Sequence, residues 1–332
     1  MWAYIIRRLF QLIPTFLGAT LLAFFIIQLA PGDFVTRLEL DPSADRDSIQ
    51  RLREQFGLDQ SVPVQYAKWL SGILTGYLGL SLSYQTDVWN VIDKRIANSM
   101  ILVVSSTIVI FLLAIPIGVF SAVRKYSVGD RLLTVLSFVG LAVPGFFFGL
   151  IMLFIAVWLN DQVGTKILPI GSMTSENIDG VPFFQAPKYK QIIDIIWHAL
   201  PVVLVLSLTG VAGTIRIMRG QMLDVLSQDF IRTARAKGLA ERVTIYKHAL
   251  RNAVIPIIAG IGFILPALVA GGGLIEQVMA WPGITPALLE AIQATDIYVI
   301  MGLITITTFL LMLGNLVSDL LLAWIDPRIR YN

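Results

Sequence analysis

What most constrains this chain is the absence of charge from six long apolar stretches. Residues 9–32, 96–123, 132–160, 195–215, 252–275 and 297–318 contain no Asp, Glu, Lys or Arg, and each is 21 residues or longer. A helix rises about 1.5 Å per residue, so roughly 20 apolar residues cross a hydrocarbon core about 30 Å thick. An unpaired backbone group in lipid costs several kcal/mol, so such stretches cross as helices; a barrel would instead alternate over segments of about ten residues. Composition agrees: 56% of the 332 residues are hydrophobic and 14% charged, against roughly a quarter charged in soluble domains. The expected fold is all-α and polytopic, one transmembrane domain over 1–332 with six membrane helices.

Several function classes drop out early. The chain has no Cys and two histidines, His198 and His248, which removes disulfides, thiolate catalysis and Cys-ligated metals. The histidines fall on opposite sides of the membrane, so no shared metal site is expected. With 25 basic against 22 acidic residues, no basic domain is left over for nucleic acid. No catalytic, cofactor-binding or metal-binding residue is expected in this chain.

Orientation follows from the basic residues. With the N-terminus inside, the inner segments hold Arg7, Arg8, Arg124, Lys125, Arg131, Arg328, Arg330 and eight bases between Arg216 and Arg251. The outer segments carry 16 of the 22 acids. Both termini are therefore expected in the cytoplasm. The first stretch is too long for a signal-peptide core and lacks a small-x-small cleavage site, so it is read as a true first span.

Two long outer segments, 33–95 and 161–194, face one long inner loop, 216–251. In the first, 47–56 reads as an amphipathic helix with Ile49, Leu52 and Phe56 on one face and Gly57 as its cap. The second is rich in Gly and Pro and reads as mostly loop. Pro14, Pro116, Pro144, Pro256 and Pro266 should kink or end helices. Gly271, Gly272 and Gly273 suit close helix contact. Asp319 near the inner end of the sixth span is expected to pair with, or lie among, Asp326, Arg328 and Arg330. Ser105, Ser106, Thr107, Ser207, Thr209, Thr214 and Asn315 either line a passage or satisfy their own helix backbones.

The inner loop has helical chemistry. Met222, Leu223, Leu226, Phe230, Ile231 and Ala234 recur at three- and four-residue steps, forming an apolar stripe. Asp224, Gln228, Arg232 and Arg235 lie largely opposite, and Gly238 stands where a left-handed cap is wanted. A second helical stretch is expected over 241–253. On pattern alone this amphipathic segment could lie on anionic lipid, pack under its own bundle, or dock into a partner's groove.

The local sequence narrows that choice. Arg232-Thr-Ala-Arg-Ala-Lys-Gly238, then Leu239 and His248-Ala-Leu-Arg-Asn-Ala-Val-Ile-Pro256, resembles the cytoplasmic signature loop of ABC-transporter permeases, in the branch that imports peptides, dipeptides or nickel. Arg232 stands where the general form has Glu, and the Gly-to-Pro distance is longer. Further matches follow in the family's order. They are Ala30-Pro-Gly-Asp33, Phe56-Gly-Leu-Asp-Gln60 with Pro63-Val-Gln-Tyr66 and Trp69, Val143-Pro-Gly-Phe-Phe147, Leu168-Pro-Ile-Gly171 and Asp326-Pro-Arg-Ile-Arg330.

The resemblance implies a type I ABC importer permease in the cytoplasmic membrane. It would work with a second homologous permease, two cytoplasmic ATP-binding subunits, an extracytoplasmic solute-binding protein and surrounding lipid. ATP and Mg would be held by the ATPases, since this chain has no Walker-type phosphate loop. Phe230, Arg232, Thr233, Ala234, Arg235, Ala236, Lys237, Gly238 and Leu239 would form the ATPase-coupling element. Peptide is the expected cargo, with nickel or oligosaccharide as alternatives. A self-contained ion-coupled transporter is the remote alternative; it would need ionisable pairs near the midplane.

Overall fold

The computed structural model describes residues 2–29, 35–36, 49–51, 53–54, 57–81, 83–260 and 272–325. Helices dominate; among the described residues the only strands are Asn177–Ile178 (β1) and Val181–Pro182 (β2), a two-residue antiparallel hairpin.

Five described helices are long and apolar enough to cross a bilayer. They are α1 (Trp2–Gln28), α3 (Val88–Val123), α5 (Gly145–Val163), α6 (Lys188–Leu226) and α13 (Ile297–Ile325). They correspond to the first, second, third, fourth and sixth expected spans. Residues 261–271 of the fifth, with Pro266 and Gly271, lie outside the described residues. Phe10, Leu112 and Phe154 are 68%, 69% and 72% exposed, which is tolerable in lipid and costly in water.

Several boundaries move, each for a local reason. The third span is two helices, α4 (Val128–Ala142) and α5, because Pro144 cannot continue α4 and instead caps α5 from outside. Gly164, at φ +70°, closes α5 in the left-handed conformation. By contrast α1 runs through Pro14, α3 through Pro116 and α6 through Pro201. A single lost hydrogen bond does not break a helix whose neighbours are all held. The 39-residue α6 starts at Lys188, inside the expected outer loop, and its last eleven residues belong to the expected inner loop. Helix α2 (Val62–Leu74), with Pro63 in its first turn, was not foreseen in the first outer segment. The amphipathic helix expected over 47–56 falls partly outside the described residues, as does Ala30–Asp33.

The chain forms two compact units, Met1–Ser99 with Gly283–Leu313, and Met100–Pro282 with Gly314–Asn332. In the first, Val88 and Ile92 of α3 pack on Ile284 and Ala287 of α12 (Ile284–Gln293) and on Val299 and Leu303 of α13. Gly302 is required there, since a Cβ would stand 2.6 Å from Val88 Cγ1. In the second unit, Leu102, Val202, Met279 and the fully buried Trp281 form one cluster.

The other cluster of the second unit carries the inner loop. After α6 come α7 (Asp229–Ala236), a turn of α-helix at Glu241–Val243 (α8), a π-helical stretch at Thr244–Ala249 and α9 (Leu250–Ala253). The expected helical stretch over 241–253 is present, with a π turn at its centre. Helix α10 (Ile255–Ala259) starts with Pro256 in its first turn, and α11 (Gly273–Val278) follows.

Candidate functional site

The expected apolar stripe does not lie on one continuous helix. Ser227 and Gln228 break the chain between α6 and α7. Met222, Val225, Ile231, Ile245 and Ala249 are buried together with Val119 and Ala122 of α3, and Leu223 and Leu226 pack at the margin. Phe230 is 41% exposed and leaves the stripe. The break rotates α7 relative to α6, so three- and four-residue spacing across it no longer selects one face.

Around α7 the nine expected coupling residues divide. Ala234 faces inward, 7% exposed, beside the fully buried Ile231, so its small size serves packing within the chain. Phe230, Arg232, Thr233, Arg235, Ala236, Lys237, Gly238 and Leu239 are exposed. Gly238 adopts φ +77°. Its N–H donates to Arg235 O at 2.9 Å, and the Leu239 N–H donates to Ala234 O at 3.3 Å. That pair of bonds is a Schellman cap, the role expected of Gly238. No neighbouring atom would meet a Cβ there, so glycine is needed for its backbone and not for space.

The cap folds the chain so that Glu241 meets Arg235. The guanidinium donates from Nη2 to Oε1 at 2.6 Å and from Nε to Oε2 at 3.1 Å. Arg235 holds the Glu241 carboxyl below the usual glutamate range, and its own pKa is raised in return. Arg232 meets Asp229 at 3.4 Å with both side chains exposed, a pairing of small worth. The only acid on α7 is thus the exposed Asp229 in its first turn, and the acid at 241 serves a neighbouring base.

One arrangement was not anticipated. Asp130, 2% exposed at the start of α4, accepts from Arg219 Nε at 2.7 Å and Nη2 at 2.9 Å. It also accepts from the Ser121 hydroxyl and from the Tyr126 N–H at 2.8 Å. Arg219, with Ser121 and Tyr126 assisting, holds this carboxyl far below the carboxylate range. Ser127 three residues ahead of Asp130 is a visible helix start. The partner 89 positions away carries no local signal.

Other expected residues behave more simply. Ser106, Thr107 and Ser207 donate to Leu102 O, Val103 O and Val203 O at 2.6, 2.7 and 2.6 Å, satisfying their own helices. Thr209 differs: its hydroxyl is buried with no partner among the described residues. His198 is buried with Nδ1 2.9 Å from Asp194 O, and no group of three His, Asp or Glu that could hold a metal occurs among the described residues. Asp319 is half-buried on α13, while Asp326, Arg328 and Arg330 lie outside the described residues.

Family comparison decides the class. Residues 114–331 match the model described as binding-protein-dependent transport system inner membrane component, and residues 1–103 match its N-terminal companion. The chain belongs to this permease family. Relatives include the oligopeptide transport system permease protein AppB of Bacillus subtilis, 39% identical over 332 residues and the whole of both chains. The dipeptide transport system permease protein DppB of Escherichia coli K12 is 33% identical over 337 residues, covering 100% of this chain and 99% of that one. The glutathione transport system permease protein GsiC of Salmonella paratyphi A is 33% identical over 328 residues, covering 99% of each. The permease fold accounts for the layout: a multi-pass, all-α inner-membrane protein of type I ABC permease architecture.

Proposed function

We propose that this permease is one transmembrane subunit of an ATP-driven importer of short peptides. The observation that carries the reading is full-length similarity to permeases named for oligopeptide, dipeptide and glutathione transport. Residues 1–332 act as one transmembrane domain. It pairs with a second homologous permease, receives cargo from an extracytoplasmic solute-binding protein, and is driven by two cytoplasmic ATP-binding subunits that hold ATP and Mg. Both termini are cytoplasmic, as the excess of inner bases requires. This chain performs no covalent chemistry.

On this reading α7 is the coupling element. Phe230 and Leu239 offer apolar contact, Ala236 permits close approach, and Arg232 and Lys237 supply charge; all five are exposed. Inward Ile231 fastens α7 to the ends of α3 and α6 through their shared core, and Ala234 is buried on the same helix. A push on α7 then displaces membrane helices and not merely a loop.

The test is reconstitution. The chain is purified from its host with a C-terminal tag, the accompanying subunits are identified, and the complex is placed in proteoliposomes with its binding protein. ATP-dependent uptake of a labelled di- or oligopeptide is expected. Uptake of Ni2+ or an oligosaccharide alone would overturn the cargo, and a chain recovered without ATPases would overturn the importer.

A further inference from the structure

The Asp130–Arg219 pair joins a buried carboxylate to a half-buried guanidinium and is unused by any step above. We propose that Arg219 is a positioning residue of energy coupling: through Asp130 it makes α3, α4 and α6 follow the coupling helix as one body. The proposal rests on the importer reading.

Three observations carry it. First, Asp130 ties separate elements with its two oxygens. Arg219 comes from α6, Ser121 from the end of α3 and Tyr126 from the turn between α3 and α4. Second, the pair sits beside the core that seats α7. Met218, next to Arg219, is fully buried with Met222, Val119 and Ile231. At that level a Cβ on Gly118 of α3 would come 2.6 Å from Met218 Cβ, so α3 and α6 nearly touch. Third, the geometry is a two-pronged fork at 2.7 and 2.9 Å.

The physical argument separates pushing from pulling. Apolar packing is non-directional and resists compression, but packed surfaces can slide or part. A bidentate guanidinium–carboxylate pair fixes orientation as well as distance. Importers must return as well as advance, and the return stroke pulls on these helices. Stability alone does not explain the pair, because a buried ion pair exchanged for packed apolar groups is often neutral or better.

The experiment uses the reconstituted complex and reads uptake per ATP hydrolysed, with assembly and thermal midpoint alongside. Arg219→Lys keeps the charge and loses the fork. The double change Asp130→Asn with Arg219→Met removes both charges without leaving one unpaired. Both are expected to assemble and hydrolyse ATP while uptake per ATP falls about fivefold or more. Ser121→Ala, which spares the fork, should lower it about twofold at most. Unchanged uptake per ATP in the two clamp variants would overturn the proposal. So would ATPase and uptake falling in equal proportion with the thermal midpoint, or failure of both variants to assemble, since the pair would then serve folding alone. Failure of the importer reading looks different: the unmodified complex itself would show no ATP-dependent uptake.

Discussion

Asp296 accepts a 2.7 Å hydrogen bond from the hydroxyl of Ser81, 215 positions earlier, and neither residue is exposed. The same carboxylate accepts from the Ser83 N–H at 3.0 Å and, through its other oxygen, from the Val299 N–H at 3.2 Å. It caps the start of α13 while fastening the segment ahead of α3 to that helix, all within the first compact unit. Asp296→Ala would orphan the buried Ser81 hydroxyl and Val299 N–H, a loss of about 1–3 kcal/mol. A fall of several degrees in the thermal midpoint of the detergent-purified permease is the expected result. Ser81→Ala should cost less, since the backbone donors remain.

Gly238→Val tests the cap of α7, the proposed coupling helix. A β-branched residue at φ +77° is strained, whereas Gly238→Asn tolerates the left-handed region. Hydrogen exchange of the Gly238 and Leu239 amides should quicken strongly in the valine variant and little in the asparagine one. ATPase recruitment should weaken in the same order.

The Arg235–Glu241 pair gives a pH dependence with a definite sign. The folded pKa of Glu241 is depressed, so the contribution is present above the unfolded value of about 4.3 and is lost as pH falls through the lower folded value. Amide exchange over 235–241, corrected for intrinsic rate, should therefore be flat from pH 8 to 5 and accelerate in acid. In Glu241→Gln it should be fast throughout. A profile changing near neutrality would overturn the assignment to this pair.

Asp130 and Arg219 should differ sharply when changed singly and together. Asp130→Ala leaves a half-buried guanidinium and the Ser121 and Tyr126 donors without their partner, a loss of about 1–3 kcal/mol or somewhat more for the charge. Asp130→Asn with Arg219→Met should melt near the unmodified permease. A double variant as unstable as the single one would show that the burial, not the charge, was misjudged.

Gly118→Ala probes the α3–α6 contact directly. The added methyl would lie 2.6 Å from Met218 Cβ, and overpacking of this kind costs about 1–3 kcal/mol. Gly118→Ala with Met218→Ala should recover part of that loss. The comparison of thermal midpoints checks it.

Much of the fold was legible because a bilayer leaves so few options. A charge-free stretch of 21 or more residues has to be helical, and five of the six became described membrane helices. What was misread has local causes. Pro144 splits the third span where Pro201 leaves α6 intact, a choice made by the surrounding helices and not by the proline. Phe230 looked like core because periodicity was carried across Ser227 and Gln228, where the helix stops.

Helix α7 and its surroundings show the same division. Gly238 as a cap was readable from one residue at the end of a helical run, since few residues adopt φ > 0 without cost. That Arg235 is occupied by Glu241 depends on the fold-back that the cap creates. Arg219 was one of eight bases between Arg216 and Arg251 in the sequence, all alike as topological charge. Its separation from the rest came from its place beside the buried Met218 and the arrival of Asp130 from another helix.

By itself, then, the sequence determined the membrane class, the helical spans, the expected orientation and the family motifs, because hydropathy, charge and turn chemistry act over a few residues. Tertiary structure decided which polar groups pair, which face α7 presents and where the helices break. Those outcomes depend on groups brought together from positions such as 130 and 219, whose meeting no local pattern encodes.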